Sequence, residues 1–387
     1  MGWRYYYNGT IALSLLVLLT GQVRAEDEFL GSLQLRGGYD TNPDFSFTPA
    51  GTALGGINAV VVAGRSTERY VGAVTGEASY TRYRETVDAP LARYRAAFDF
   101  ATKDESEASL KSTTSVTSFE NYNTKSLDAI ERLKLRMTSG DVQPFVTAEL
   151  RYSELNESNI LLNEFLPQPE VFLRGTIIPG VAVKRGEWEV GASVNLSVTR
   201  YRDELDYFGF RRDNERIEPF LFLRYSKDRF SLFASLSRLY GDWHDVDFSD
   251  VRETLYDIAL SYNGEPFGFE LSAKRTAEET TFPISPITID TAYAGKIACK
   301  LNEKNSLAVF GRWIEKRYLD SPFRQITKSY GLQFSHDISD KLSAGLELTR
   351  SEMQPIAGPN VEGIAVIASL TQRFGDKKRA EAGSSAR

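Results

Sequence analysis

Trp188-Glu189-Val190-Gly191-Ala192-Ser193-Val194-Asn195-Leu196-Ser197-Val198 alternates without interruption: even positions are apolar, odd positions are polar or glycine. A β-strand turns successive side chains to opposite faces, so this stretch has one oily face and one wet face. The same two-residue period recurs outward in both directions. Hydrophilic turns separate the runs at 139–141, 184–187, 226–229, 263–266, 302–305 and 339–341, with less regular ones at 65–68 and 103–107. Eight tight turns make eight hairpins. One strand before them (33–39) and one after (363–374) raise the count to 18. Longer connections fall at 41–54, 83–91, 119–125, 154–169, 202–215, 241–251, 276–286, 318–324 and 351–360. Short turns on one side and long loops on the other are the pattern of a closed barrel with both ends on the tight-turn side. The fold predicted for residues 26–374 is therefore all-β: a transmembrane antiparallel up-and-down β-barrel of about 18 strands, with 16 as the alternative.

The flanking segments agree. Residues 1–25 read as a cleaved signal peptide: Arg4 supplies positive charge, 11–20 is apolar, and Val23-Arg24-Ala25 precedes Glu26 as a small-residue cleavage site. The apolar run is too short to cross a bilayer, which takes about 20 residues. A chain of 387 residues could make two soluble domains, but no linker or composition shift divides it. Its single cysteine, Cys299, excludes an internal disulfide. A barrel with every strand paired is stabilised without one. Tyr225 and Phe230 flank one tight turn, Tyr262 and Phe267 the next, and Trp188 follows another; parity puts all five on the apolar face, as an aromatic belt requires. Residues 375–387, rich in Lys, Ala, Gly and Ser, read as a polar disordered tail.

Function should reside on the wet face. Parity, strand by strand, turns Arg93, Arg95, Arg132, Lys134, Arg136, Arg151, Arg174, Arg224, Lys296 and Arg312 inward as a substrate path, joined by Arg36, Lys184, Lys274, Lys300, Lys316 and Arg373. The inward acids are Glu77, Asp99, Glu149, Glu189, Glu218, Asp257, Glu270, Asp290 and Glu347. The chain's net charge is −6, so a basic wall means that the acids concentrate in loops and turns. Arginine and lysine rings select anions in pores, and a confined field of one sign concentrates counter-ions. Arg132, Lys134 and Arg136 put three cations on one face of one strand.

Other chemistries find less support. Loops such as Asp203-Glu204-Leu205-Asp206-Tyr207-Phe208 and Asp242-Trp243-His244-Asp245-Val246-Asp247 suit sugar stacking, but lack the spacing of a calcium loop. Only two histidines exist. His244 beside Asp245 is a conceivable base, and His336 adjoins Asp337, yet neither has an identifiable nucleophile. No zinc set, nucleotide loop or cofactor signature is present, so an enzyme is not expected.

Leu33-Gln34-Leu35-Arg36-Gly37-Gly38-Tyr39-Asp40-Thr41-Asn42-Pro43 resembles the opening strand of the β-barrel porin 2 family, in which the first strand ends in a Tyr-Asp-x-Asn-Pro-like turn. That resemblance implies a bacterial outer-membrane barrel, and several such proteins are associated with exopolysaccharide secretion. The expected function is a passive outer-membrane channel for anionic solutes, exporting an acidic poly- or oligosaccharide. A general diffusion porin, a surface adhesin with a blocked lumen and an outer-membrane hydrolase using His244 remain alternatives. The implied partners are outer-membrane lipid, the barrel-assembly machinery, an anionic polysaccharide and periplasmic export components. Nothing points to nucleic acid, and nothing identifies an oligomeric state.

Overall fold

The computed structural model describes residues 27–84, 90–103, 108–159, 164–165 and 167–375. The expected signal peptide and all but Gly375 of the expected tail lie outside the described residues, as do 85–89, most of the turn at 103–107 and part of the 154–169 connection. Eighteen long antiparallel strands form one closed sheet. It runs from β1 (Asp27–Asp40) in hairpin order to β19 (Val361–Phe374), which pairs back onto β1 from Gly31↔Phe374 to Asp40↔Ala365. The remaining strand, β8 (Glu164–Phe165), is a two-residue ladder on the end of β7 (Val142–Asn159), which itself pairs with β9 (Glu170–Arg185) in the wall. The first strand closes on the last, and the close approach at the joint depends on Gly38. A Cβ there would overlap the Val366 carbonyl.

The inside–outside assignment follows from register. In β10 (Trp188–Tyr201), Val190, Leu196 and Val198 are exposed on the outer face beside Leu221 and Ile217 of β11 (Asn214–Lys227), while Ser193, Ser197 and Thr199 turn inward and are buried. The aromatics beside the tight turns share that outer face. Trp188 and Tyr225 lie 4.4 Å apart by ring centre, and Tyr225 and Phe230 5.8 Å apart. Several outward residues break the apolar pattern. Glu131, halfway along β6 (Thr124–Met137), accepts hydrogen bonds from Ser112 (3.1 Å) and Thr114 of β5 (Ala108–Glu120), whose hydroxyls share its face.

Two connections differ from expectation. The connection expected at 119–125 is a three-residue turn, because β5 and β6 continue their ladder to Glu120↔Lys125. The loop expected at 276–286 is shorter, because β14 (Phe267–Glu279) and β15 (Ile287–Lys300) stay paired to Glu279↔Ile287. That hairpin does something parity does not foresee: it leaves the wall. Pairing between β13 (Val251–Asn263) and β14 stops at Tyr256↔Arg275, so residues 251–255 of β13 pair with β12 (Phe230–Trp243) alone. Beyond that point the hairpin bends into the lumen. Its nominally outward side chains, Ala277, Ile287 and Ile289, pack on the inner face of the neighbouring strands against Leu239, Trp243, Val251 and Leu255. Burial of Ile287 and Ile289 is nearly complete and favours the bend, at roughly 25 cal/mol per Å² of apolar surface removed from water.

Candidate functional site

The hairpin tip, residues 280–286, is pinned inside the barrel from three sides. Glu279 accepts hydrogen bonds from Arg174 of β9, Arg216 of β11 and the Tyr201 hydroxyl of β10 (3.1 Å). Its side chain is 4% exposed, and that of Arg216 only 6%. A buried carboxylate between two guanidiniums is tolerated because each charge is compensated at contact distance. Glu157 of β7 accepts from the Thr280 hydroxyl (2.8 Å) and the Thr281 amide (2.9 Å), and pairs with Lys316 of β16 (Asn305–Tyr318) at 3.4 Å. Arg212, buried in the connection before β11, donates to the Thr280 (2.9 Å), Ser285 (3.2 Å) and Phe282 (2.8 Å) carbonyls while pairing with Asp206 at 2.7 Å. Phe282 then stacks on Tyr318, 4.5 Å between ring centres. Three carbonyls of the tip that would otherwise be bare inside the barrel are thus met by one arginine. This inward element narrows the lumen at the long-loop end of the barrel.

The tight-turn half is different. Here the aromatic faces of the wall carry cations. Lys134 sits 4.7 Å over Phe145; Arg224 lies 5.3 Å from Phe222 and 5.5 Å from Phe233; Phe145 meets Phe222 edge-on at 6.1 Å. Glu189 is the one carboxylate in this group, bonded to Arg136 (2.8 Å) and Arg224 (3.3 Å). On the adjacent wall a cavity of about 870 Å³ is lined by Arg224, Phe233, Glu270, Lys296, Phe310 and Arg312.

Register turns all ten cations expected to line the path inward, but they are not equivalent. Arg95 pairs with Glu77 (3.1 Å), Arg132 with Glu149 (2.8 Å), Arg151 with Asp128 (2.7 Å), and Arg174 with Glu279. Arg136 and Arg224 share Glu189. Among the described residues, Arg93, Lys134, Lys296 and Arg312 have no carboxylate at ion-pair distance; Lys296 bonds Gln333 instead. The structure also adds wall charges that the sequence reading did not count: Lys111 and Arg216, and the acids Asp128, Glu157, Glu170, Glu253 and Glu278. The positive surplus of the whole wall is therefore smaller than parity gave. What distinguishes the lumen is where unpaired cations lie. Arg212, Arg216, Glu157 and Glu279 were missed because they sit at or beyond expected strand ends, where alternation carries no information about an inward bend.

The two histidines take different partners from those expected. His244 lies 3.9 Å from Glu215, while Asp245 accepts the Arg211 and Asp247 amides. His336 bonds Asn305 at 2.8 Å. Among the described residues no group of three His, Cys, Asp or Glu could hold a metal ion.

No protein-family model matches the chain, and no curated protein does either. Solved structures do match. The copper transporter OprC has a TM-score of 0.50 at 8% identity over 91% of this chain and 81% of that one. OpdK from Pseudomonas aeruginosa has 0.47 at 9% over 90% and 99%. A BenF-like porin from Pseudomonas fluorescens Pf-5 has 0.46 at 9% over 91% and 99%. At such identities the likeness is one of fold: a closed antiparallel barrel of the outer-membrane type.

Proposed function

We propose that this chain is an outer-membrane channel for anionic solutes, and that an acidic poly- or oligosaccharide on its way out of the cell is its cargo. The apolar outer face and the aromatics beside the turns support insertion in a bilayer. The observation that carries the anion reading is the tight-turn half of the lumen, where Lys134, Lys296 and Arg312 have no carboxylate partner among the described residues and Lys134 and Arg224 lie over phenyl rings. An anion arriving from the periplasm meets donors that need not be freed from a wall carboxylate first. Several such sites in series allow binding weak enough for release. Above them, the pinned hairpin makes passage selective for slender or extended solutes. The export assignment rests on the resemblance of the first strand to the β-barrel porin 2 family.

The test is efflux from liposomes loaded with uronate oligomers or with neutral oligomers of equal length. Faster release of the acidic series supports the proposal, and equal release of both makes the protein a general diffusion porin.

A further inference from the structure

The bend of the β14–β15 hairpin leaves a seam in the outer wall, and three arginines converge on it. Arg238 of β12 donates to the Thr254 hydroxyl (2.8 Å). Arg275 of β14 donates to the carbonyl of the same residue (2.9 Å), which would otherwise face an absent strand, and to the Thr291 hydroxyl (3.2 Å). Arg275 and Arg317 then share Glu253, at 2.7 and 2.6 Å. Two guanidiniums therefore share one carboxylate, and the third meets Arg275 through Thr254. Arg238 has no acidic partner among the described residues and is exposed, and the Arg317 side chain is 41% exposed.

The level of this cluster on the barrel is fixed by the residues beneath it. Tyr256 and Tyr293 join hydroxyls across the seam at 2.8 Å, and Tyr293 packs on Trp313 with ring centres 5.4 Å apart. Tyrosine and tryptophan mark the interface between hydrocarbon and headgroups. The arginines sit just outside that row, toward the loop side, where the headgroups of the outer leaflet lie. Sealing the seam needs only Arg275 and Glu253. Arg238 and Arg317 leave positive charge over, in planar forks that match a phosphate in bidentate fashion.

We propose that the seam binds a phosphate of an outer-leaflet glycolipid through Arg238, Arg275 and Arg317. The assignment rests on the outer-membrane reading above but not on the identity of the solute. A bound lipid phosphate would take the exposed donors of Arg238 and Arg317, and would brace the edge of β13 from which the hairpin departs.

The experiment is binding of diphosphoryl lipid A to the folded full chain in detergent, read by native mass spectrometry. Arg238→Gln should weaken binding about five-fold and the triple change of Arg238, Arg275 and Arg317 to Gln about a hundred-fold, at the usual gain per cation near a charged surface. Arg238→Gln touches no wall carboxylate, so it reports even if the triple variant fails to fold. Unchanged binding by Arg238→Gln overturns the proposal. So does equal binding of fully dephosphorylated lipid A. Displacement of the lipid by millimolar inorganic phosphate would make free phosphate the ligand and also overturn it. Conductance of the same preparation tests the channel separately: a conducting protein that ignores lipid A refutes only the seam site, whereas a binding protein that never conducts refutes only the channel.

Discussion

Glu279→Gln should release the constriction. The carboxylate is buried and compensates Arg174 and Arg216 together, and it also takes the Tyr201 hydroxyl. The amide keeps the shape but leaves two buried guanidiniums without a counter-charge. Removing one partner of a buried ion pair costs about 3–5 kcal/mol. The cost falls on the pinned arrangement alone, because once the hairpin swings away water can reach both wall arginines and the tip. The ratio of pinned to released hairpin should therefore fall by roughly a hundred- to a few thousand-fold. The wall itself is unaffected, since its ladders on either side of the hairpin do not use Glu279. Planar-bilayer recording should show a larger mean single-channel conductance with added open-state noise, at an unchanged cold-SDS mobility of the folded barrel. Glu278→Gln, one residue away, is the matched control. Conductance and noise equal to the wild type in Glu279→Gln would refute the argument that this ion cluster holds the constriction.

Three further outcomes follow from other parts of the molecule. Lys134→Gln should lower anion preference, read as reversal potential in a salt gradient, more than Arg132→Gln does, because Glu149 already neutralises Arg132; the opposite order would contradict the pairing argument. Gly38→Val should hinder closure of β1 on β19, since its side chain would collide with the Val366 carbonyl, at a cost of about 1–3 kcal/mol visible as a lower unfolding temperature; an unchanged temperature would count against that contact. Burial, with Asp44, Tyr83 and Asp40 nearby, pushes the Tyr122 hydroxyl in the β5–β6 turn from its ordinary 10.0 up to about 12. Its contribution is thus complete below pH 10 and is lost as pH rises toward 12. Tyr122→Phe should raise the alkaline unfolding midpoint, and an unmoved midpoint would refute the assignment.

Much of the architecture was legible because its cause is local. Strand periodicity, the turn residues and the aromatics at Trp188, Tyr225, Tyr262 and Phe267 each act over a few positions, and together they gave 18 strands and the facing of the wall. The constriction was not legible. Ile287 and Ile289 are apolar in the right phase for a lipid-facing strand, and the same pattern suits a hairpin packed on the inner wall. Only the pairing of Glu279 with Arg174 and Arg216, far apart in sequence, separates the two. The wall charge was half legible: parity found the inward cations, but passed over Asp128 and Glu253 within expected strands, and Glu157 lay inside an expected connection although β7 runs through it as far as Asn159. The sequence reading could not tell an unpaired Lys134 from a neutralised Arg132, because that depends on the neighbouring strand's register.

The most direct test of the channel reading is single-channel conductance and ion selectivity of the refolded protein in a planar bilayer. The account predicts open, anion-selective currents that acidic oligosaccharides block from the periplasmic side. A folded barrel that passes no current, or one that prefers cations, would contradict it.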